Sequence, residues 1–343
     1  MALNTNLHQA ALAKNDEYYT QLPDIENELN HYKAYFKDKI VYCNCDDPTI
    51  SNFFNYFSYS FELLGLKKLI TTCYKNQLRD LFSKHDSDRA IMLEYDGFQE
   101  GDRIPKIEDI GVTYLKGDGD FRSEECIEFL KQSDIVVTNP PFSLFRDYVA
   151  QLIKYNKKFV IIGNKNAITY KEIFPLIKEN RMWVGNTPMG KDLLFDLPED
   201  YARELLGTKK EGSSYKIVDG VVKGRSQSIW LTNLDHKKRH EELILYRKYK
   251  PEDYPHYDNY AAIEVSKTRD IPIDWEGVMG VPITFLDKYN PDQFEIVGSD
   301  YEIKQGLISQ IVNPKWQGKI DRGYINGKRM YARILIRNKR SQK

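Results

Sequence analysis

The residues with the clearest capacity for chemistry are Asn139, Pro140, Pro141 and Phe142, which follow directly on Ser-Asp-Ile-Val-Val-Thr at 133–138. Ile135–Thr138 is short, apolar and β-branched, the composition of a parallel strand buried on both faces. Neither proline can donate to a sheet ladder, so the strand is expected to stop at Asn139 and leave in a stiff, extended turn. In an open α/β sheet such a turn at a strand's carboxyl end falls where ligands bind. Asn139 offers a carboxamide oxygen, the prolines offer carbonyls without N–H groups, and Phe142 offers a flat apolar face. This set suits a planar amine. An exocyclic NH2 could give its hydrogens to the Asn139 side chain and the Pro140 carbonyl while its ring stacks on Phe142. With both hydrogens held, the nitrogen lone pair is aimed at an electrophile. The alternative is an ordinary exit from strand to loop.

Asn-Pro-Pro-Phe after a buried strand resembles the catalytic motif of amino-methyltransferases that use S-adenosylmethionine (SAM). Further stretches resemble the EcoRI-type adenine-specific DNA methyltransferases: Asp-Glu-Tyr-Tyr-Thr-Gln at 16–21, Val-Tyr-Cys-Asn-Cys-Asp-Asp-Pro at 41–48, Gly-Asp-Gly-Asp-Phe-Arg-Ser at 117–123 and Gly-Val-Pro-Ile-Thr-Phe-Leu-Asp-Lys at 280–288. The likeness covers nearly the whole chain and is thinnest at 75–110, 185–225 and 299–325. It implies a Rossmann-like, SAM-dependent α/β fold with a mostly parallel, doubly wound sheet and a C-terminal target-recognition region. Residues 1–184 would be the SAM-binding and catalytic core. Residues 185–343 would be the target-recognition region, with returning core strands and a basic tail.

The resemblance also implies a reaction: methyl transfer from SAM to the N6 of an adenine flipped out of double-stranded DNA, within GAATTC, with no metal. The enzyme would be a cytoplasmic monomer paired functionally with a restriction endonuclease. Asn139, Pro140, Pro141 and Phe142 are then the catalytic corner, and Asn139 also borders the cofactor. Tyr19 and Thr20 would touch SAM from a motif ahead of the first strand. Cys45, Asp46 and Asp47 would lie at that strand's tip, where carboxylates suit the sulfonium and ammonium of SAM. Asp46 and Asp47 could equally cap the next helix. One of Asp118 and Asp120 would take the SAM adenine. Many methyltransferases hold the ribose with an acid at the end of strand two, whereas this chain has Thr72, Cys73 and Tyr74 there, with Cys73 the assigned contact.

The elements that must position these groups can be read from the pattern. Ile25, Leu29, Tyr32 and Phe36 recur at helical spacing behind acids in the first turn. A first parallel strand is expected at 39–44, followed by a helix over 51–64. No Gly-x-Gly-x-x-Gly intervenes, so the phosphate cradle of dinucleotide folds is missing. Strands are expected at 67–74, around 90–98 and at 112–115. Helices and strands then alternate through 184, which argues for a parallel, helix-covered sheet. Asp219-Gly220 suits the type I′ turn of a hairpin, and 229–234 reads as a strand returning to the main sheet. Residues 280–286 read as a piece packed beside the site, and 333–337 as an edge strand with one wet face.

Fifty basic and fifty acidic residues cancel over 343, with 41% hydrophobic and 29% charged, as in ordinary globular proteins. A neutral total is compatible with nucleic acid when a local basic face exists. Residues 208–250 hold eleven Lys and Arg against five acids, with four interleaved aromatics, and 311–343 hold ten Lys and Arg with Asp321 as their sole acid. This tail is expected to border the phosphate backbone. No apolar run is long enough for a membrane span and no signal peptide is expected. Four cysteines form no disulfide framework and no C-x-x-C pair, which fits a reducing compartment. Cytosine-C5 chemistry usually needs a Pro-Cys thiol, and Cys43, Cys45, Cys73 and Cys126 follow Tyr, Asn, Thr and Glu. Cytosine-N4 transfer, a non-catalytic DNA-binding protein, and a nuclease built on Asp300 with Glu302-Ile303-Lys304 are the competing readings.

Overall fold

The computed structural model describes residues 20–49, 51–75, 89–97, 107–197, 199–212 and 215–340. The chain folds as two units. One is built from the chain up to Lys165 together with Thr187–Leu234, and the other from Asn166–Asn186 with Asp235–Lys343. The sequence reading divided roles at 184/185. Packing follows another line, since residues 187–234 return to the first unit.

In chain order the strands are β1 (Ile40–Cys43), β2 (Lys68–Thr72), β3 (Ile91–Tyr95), β4 (Thr113–Tyr114), β5 (Ile135–Thr138) and β6 (Lys158–Asn164). Next come β7 (Trp183–Val184), which falls in the second unit, then β8 (Leu193–Asp196), β9 (Tyr215–Val218), β10 (Val221–Ser226) and β11 (Ser228–Thr232). Within the first unit the main sheet runs β4-β3-β2-β1-β5-β6-β11. β1 pairs in parallel with β2 and with β5, and β5 in parallel with β6. β3, β4 and β11 add antiparallel edges. The parallel heart is the Rossmann-like part, and the strand order reverses at β1, which makes the β1/β5 tips the topological switch point.

Both faces of this heart are covered, as β-branched strands without a polar face require. Val41, Cys43, Ile135, Val137, Val160 and Ile162 point to one side and pack with Ile25, Phe53, Phe57 and Trp230. On the other side Tyr42 meets Phe129 of the helix Glu124–Gln132 edge to face, with ring centroids 6.3 Å apart. The helical stripe from Ile25 to Phe36 is fully buried, though the chain realises it as a helix at Leu22–Leu29, a 3-10 turn and a short helix at Lys33–Phe36. Asp219 and Gly220, with φ of 51° and 78°, make the expected type I′ turn between β9 and β10.

The second unit contains β12 (Ala262–Glu264), β13 (Val278–Val281), β14 (Phe294–Ser299), the hairpin β15 (Tyr324–Ile325) and β16 (Lys328–Arg329), and β17 (Ile334–Asn338). Its four-stranded sheet runs β12-β13-β17-β14. One expectation changes here. The stretch 333–337 is not an edge: β17 lies between β13 and β14, and Ile334, Leu335 and Ile336 are all buried. The charge of Arg333 is met by Glu264, with Nη2 2.5 Å from Oε1, so flanking arginines did not signal a wet face. Residues 280–286 run from the end of β13 into the 3-10 segment Ile283–Lys288, within the second unit. Among the described residues no helix is long and apolar enough to cross a membrane.

Trp230 carries the returning strand into the core, 1% exposed and edge-on to Phe53 at 6.0 Å. Trp230→Ala is expected to lower unfolding free energy by about 3–5 kcal/mol in urea titration. A loss under about 1 kcal/mol would mean that β11 contributes little to the sheet.

Candidate active site

β5 ends at Thr138, as the two prolines demand. Asn139 follows, 2% exposed, and Pro140 is buried beside it. Pro141 is half-buried with φ −60° and ψ 120°, an extended residue that starts the 3-10 turn Phe142–Leu144. That turn runs straight into the helix Phe145–Lys154. Phe142 is half-buried and rests partly against the main core, which fixes its ring while leaving some of it accessible.

Thr20 is brought to this corner from far away in sequence. Asn139 Nδ2 donates to Thr20 Oγ1 at 3.4 Å, and Asn52 Nδ2 donates to the Thr20 carbonyl at 2.8 Å. These contacts fix the Asn139 amide with its donor end toward Thr20 and its oxygen on the opposite side. Thr20 also lines a shallow pocket with Gln21, Ile162, Phe195, Ser226 and Ser228. Tyr19 lies outside the described residues.

The tip of β1 is tied to both neighbouring strands. Asp46 N–H donates to the Thr72 carbonyl at 3.1 Å, which joins it to the end of β2. Its carboxylate accepts from the Thr138 hydroxyl at the end of β5 and from Ser51 Oγ at 3.0 Å. Burial pushes the Asp46 carboxyl up to about 7, the two hydroxyl donors hold it down in part, and neighbouring Asp47 pushes it up further. Asp47 is half-buried and its Oδ1 accepts from Thr49 N–H and Oγ1 at 2.9 and 2.6 Å. The helix cap is neither acid: Ser51 Oγ accepts from Phe53 and Phe54 N–H at 3.1 and 3.4 Å. Cys45 is half-buried, with Sγ 3.9 Å from Asn44 Oδ1. The same Asn44 oxygen receives the hydroxyl of Tyr148 from the helix after the corner.

The 117–120 loop closes over the end of β2. Lys75 N–H donates to the Asp118 carbonyl at 2.9 Å, and a Cβ on Gly119 would stand 2.2 Å from the Cys73 carbonyl oxygen. Gly119 also has φ +77°, so glycine is required there twice over. The Cys73 side chain is buried and burial pushes its thiol up to about 12, so its backbone carbonyl, not its sulfur, faces this loop. Asp120 is committed to Arg122, which donates from Nε and Nη2 at 2.9 and 2.7 Å and pulls its carboxyl below the usual range. Half-buried Asp118 accepts only the Asp120 N–H at 3.0 Å among the bonds resolved for its carboxylate.

Thr20, Asp46, Cys73, Gly119 and Asn139 are thus linked along one carboxyl edge. The sequence reading did not single out Asn44, Ser51, Thr138 or Tyr148, which hold that edge together. Thr138 gave a signal that was read as a β-branched strand residue. The competing nuclease triplet is structural: Asp300 is 2% exposed and accepts from Tyr260 OH at 2.5 Å and Arg333 N–H at 2.7 Å. Among the described residues there is no cluster of three or more metal-ligating side chains.

The sheet order, the reversal at β1 and the loops gathered over that reversal define a Rossmann-like methyltransferase. The family described as "Adenine-specific methyltransferase EcoRI" matches residues 6–339, and the chain belongs to it. It is 50% identical over 347 residues to the Type II methyltransferase M.EcoRI of Escherichia coli, covering 100% of this chain and 99% of that protein. It is 38% identical to the Type II methyltransferase M.MgeORF184P of Mycoplasma genitalium, covering 97% of this chain and 98% of that protein. It is 36% identical to the Type II methyltransferase M.MpnI of Mycoplasma pneumoniae over the same shares of each chain. No solved structure matches the chain.

Two outcomes follow from the geometry. Because the folded Asp46 carboxyl titrates near 7 and an unfolded one near 3.8, the folded state binds more protons between those values. Stability from this group is therefore present at low pH and is lost as pH rises through that window, by something on the order of 4 kcal/mol at most. Asp46→Asn should flatten that part of the stability profile in urea titrations; a profile of unchanged slope would contradict the shift. Gly119→Ala should cost about 2 kcal/mol or more, read as a lower thermal midpoint, since both the backbone angle and the Cys73 carbonyl oppose a Cβ.

Proposed function

We propose that the protein methylates the exocyclic N6 of adenine in duplex DNA, with SAM as donor, at the inner adenine of GAATTC. The observation that carries the reading is the Asn139 corner: a carboxamide oriented by Thr20, at the end of a parallel strand next to the switch point. Full-length membership of an adenine-specific methyltransferase family supports the same reaction.

The residues at the β1 and β2 tips suit SAM. Buried Asp46 and half-buried Asp47 give this tip two adjacent acids, and Asp47 is the direct partner for the ligand's ammonium. Asp118 is the better acceptor for its adenine, since Asp120 is held by Arg122. Gly119 lets that loop close on the Cys73 carbonyl. When bound, SAM supplies a methyl group activated by a sulfonium.

The chain's own part in the reaction is positioning. A target adenine extruded from the duplex gives one N6 hydrogen to Asn139 Oδ1 and the other to the Pro140 carbonyl. Phe142 supports the ring face, and the prolines keep the corner from yielding. The N6 lone pair is then turned away from these two acceptor oxygens and toward the transferable methyl, and no covalent enzyme intermediate is needed. The protein acts as a monomer and protects DNA from a cognate endonuclease.

The test is incubation with duplex DNA and methyl-labelled SAM, followed by challenge with a GAATTC-cutting nuclease. Label on adenine together with resistance is expected. Label on cytosine, or adenine label without resistance, would move the reading to another base or another sequence. Asn139→Ala should reduce transfer by about a hundred-fold or more while leaving duplex affinity nearly intact. Undiminished turnover in that variant would refute the role of the corner.

A further inference from the structure

The second unit carries a basic hairpin. β15 and β16 form a two-stranded sheet of their own, and Asn326 and Gly327 between them have φ of 51° and 72°, the left-handed pair of a type I′ turn. Isolated hairpins of this size are marginal in water. This one is pinned at its base. Fully buried Asn259 donates to the Arg322 carbonyl at 2.7 Å and accepts from Tyr324 N–H at 2.9 Å. Asp258 N–H donates to the Tyr324 carbonyl at 2.7 Å, and its carboxylate accepts from Gly327 N–H at 2.8 Å. Asp321 binds Arg329 at 2.6 Å and the Tyr324 hydroxyl at 3.2 Å, and Trp316 leans on the Tyr324 ring at 5.3 Å.

Rigidity at the base contrasts with what the hairpin and its flanks present. Lys315, Lys319 and Lys328 are exposed, and among the described residues none of them is ion-paired. Tyr331 is 82% exposed, a large ring with no core to serve. Asp321 is the sole acid in 311–343, and Arg329 already occupies it. The result is a preorganised two-stranded ribbon with unneutralised positive charge. A duplex groove admits such a ribbon, and the phosphates beside it carry the opposite charge.

We propose that the hairpin Tyr324–Arg329 and the loop leading to it form a duplex-DNA contact element. The ribbon lies along a groove, Lys315, Lys319 and Lys328 neutralise backbone phosphates, and Tyr331 sits against the sugar-phosphate edge. This rests on the reading of the protein as a DNA methyltransferase. It adds an assignment of which surface holds the substrate.

The experiment uses the full chain and a duplex containing GAATTC, with dissociation constants measured between about 50 and 200 mM salt. The variants are Lys315→Gln/Lys319→Gln/Lys328→Gln and the corresponding triple Lys→Arg. Each released phosphate contact contributes about 0.9 to the slope of log affinity against log salt, so the Gln variant should be shallower by about 2.7. Over that salt range the unmodified protein should then lose about 40-fold more affinity than the Gln variant. The Arg variant should keep the original slope, which a purely structural role for these side chains would not require. A Gln variant whose slope lies within about 0.9 of the original overturns the proposal, even if its thermal midpoint and SAM binding are intact. An unmodified protein that binds no duplex would instead overturn the functional reading beneath it.

Discussion

The hydrogen bond from the Thr138 hydroxyl to the Asp46 carboxylate joins the end of β5 to the tip of β1, residues 92 apart in sequence. The same carboxylate takes the Ser51 hydroxyl, and Ser51 caps the following helix, so one acid fixes a strand end, a loop and a helix start. Asn139 is the next residue after Thr138. Its position relative to the β1 tip is therefore set by the β1–β5 pairing, this side-chain contact and a short stretch of stiff backbone. Tyr148 reaching Asn44 adds a second strut between the helix beyond the corner and the β1 tip. A site that must hold an amine in one orientation needs this kind of support, because misplacement on the scale of an ångström is costly in rate.

Much of this edge could be read from the chain. The strand Ile135–Thr138 falls where a β-branched run followed by two prolines puts it, and the β1 tip, the 117–120 loop and the returning strand near 229 were also legible. Local pattern fails where the partner of a residue lies far away. Thr138 looks like any strand threonine until Asp46 is placed beside it. Arg333 and Arg337 look like solvent markers around an apolar triplet, but Arg333 is 8% exposed and meets Glu264, 69 residues earlier. Pairing across such a distance turns an apparent edge into an inner strand. The acids at 118 and 120 were equivalent as letters, and the Arg122 side chain distinguishes them.

The second unit is stabilised in a different manner from the first. Its sheet surrounds a polar cluster in which Tyr257 and Arg333 converge on Glu264, while Tyr260 and the Arg333 N–H converge on Asp300. Burial pushes the Asp300 carboxyl up to about 6, against the pull of its hydrogen bonds and nearby arginines. Gly280 and Gly323 both press on Tyr257: a Cβ on Gly280 would stand 2.3 Å from its hydroxyl oxygen, and one on Gly323 2.3 Å from a ring carbon. A network of this type specifies one arrangement because every member must be satisfied together. That exactness suits a unit whose outer surface carries a held, charged hairpin.

The path of the chain has a consequence for how the molecule is made. The first unit lacks its antiparallel strand β11 until residues 228–232 exist, and by then the polypeptide has already left that unit at Lys165 and come back at Thr187. A nascent chain emerging from the ribosome must keep β6 without its neighbour while more than sixty further residues, about sixty-four from the end of one strand to the start of the other, are synthesised, a delay of several seconds at ordinary elongation rates. A cut after Leu234 keeps the whole of the first unit on one fragment but leaves Asn166–Asn186 of the second unit with it, so no single cut separates both units intact.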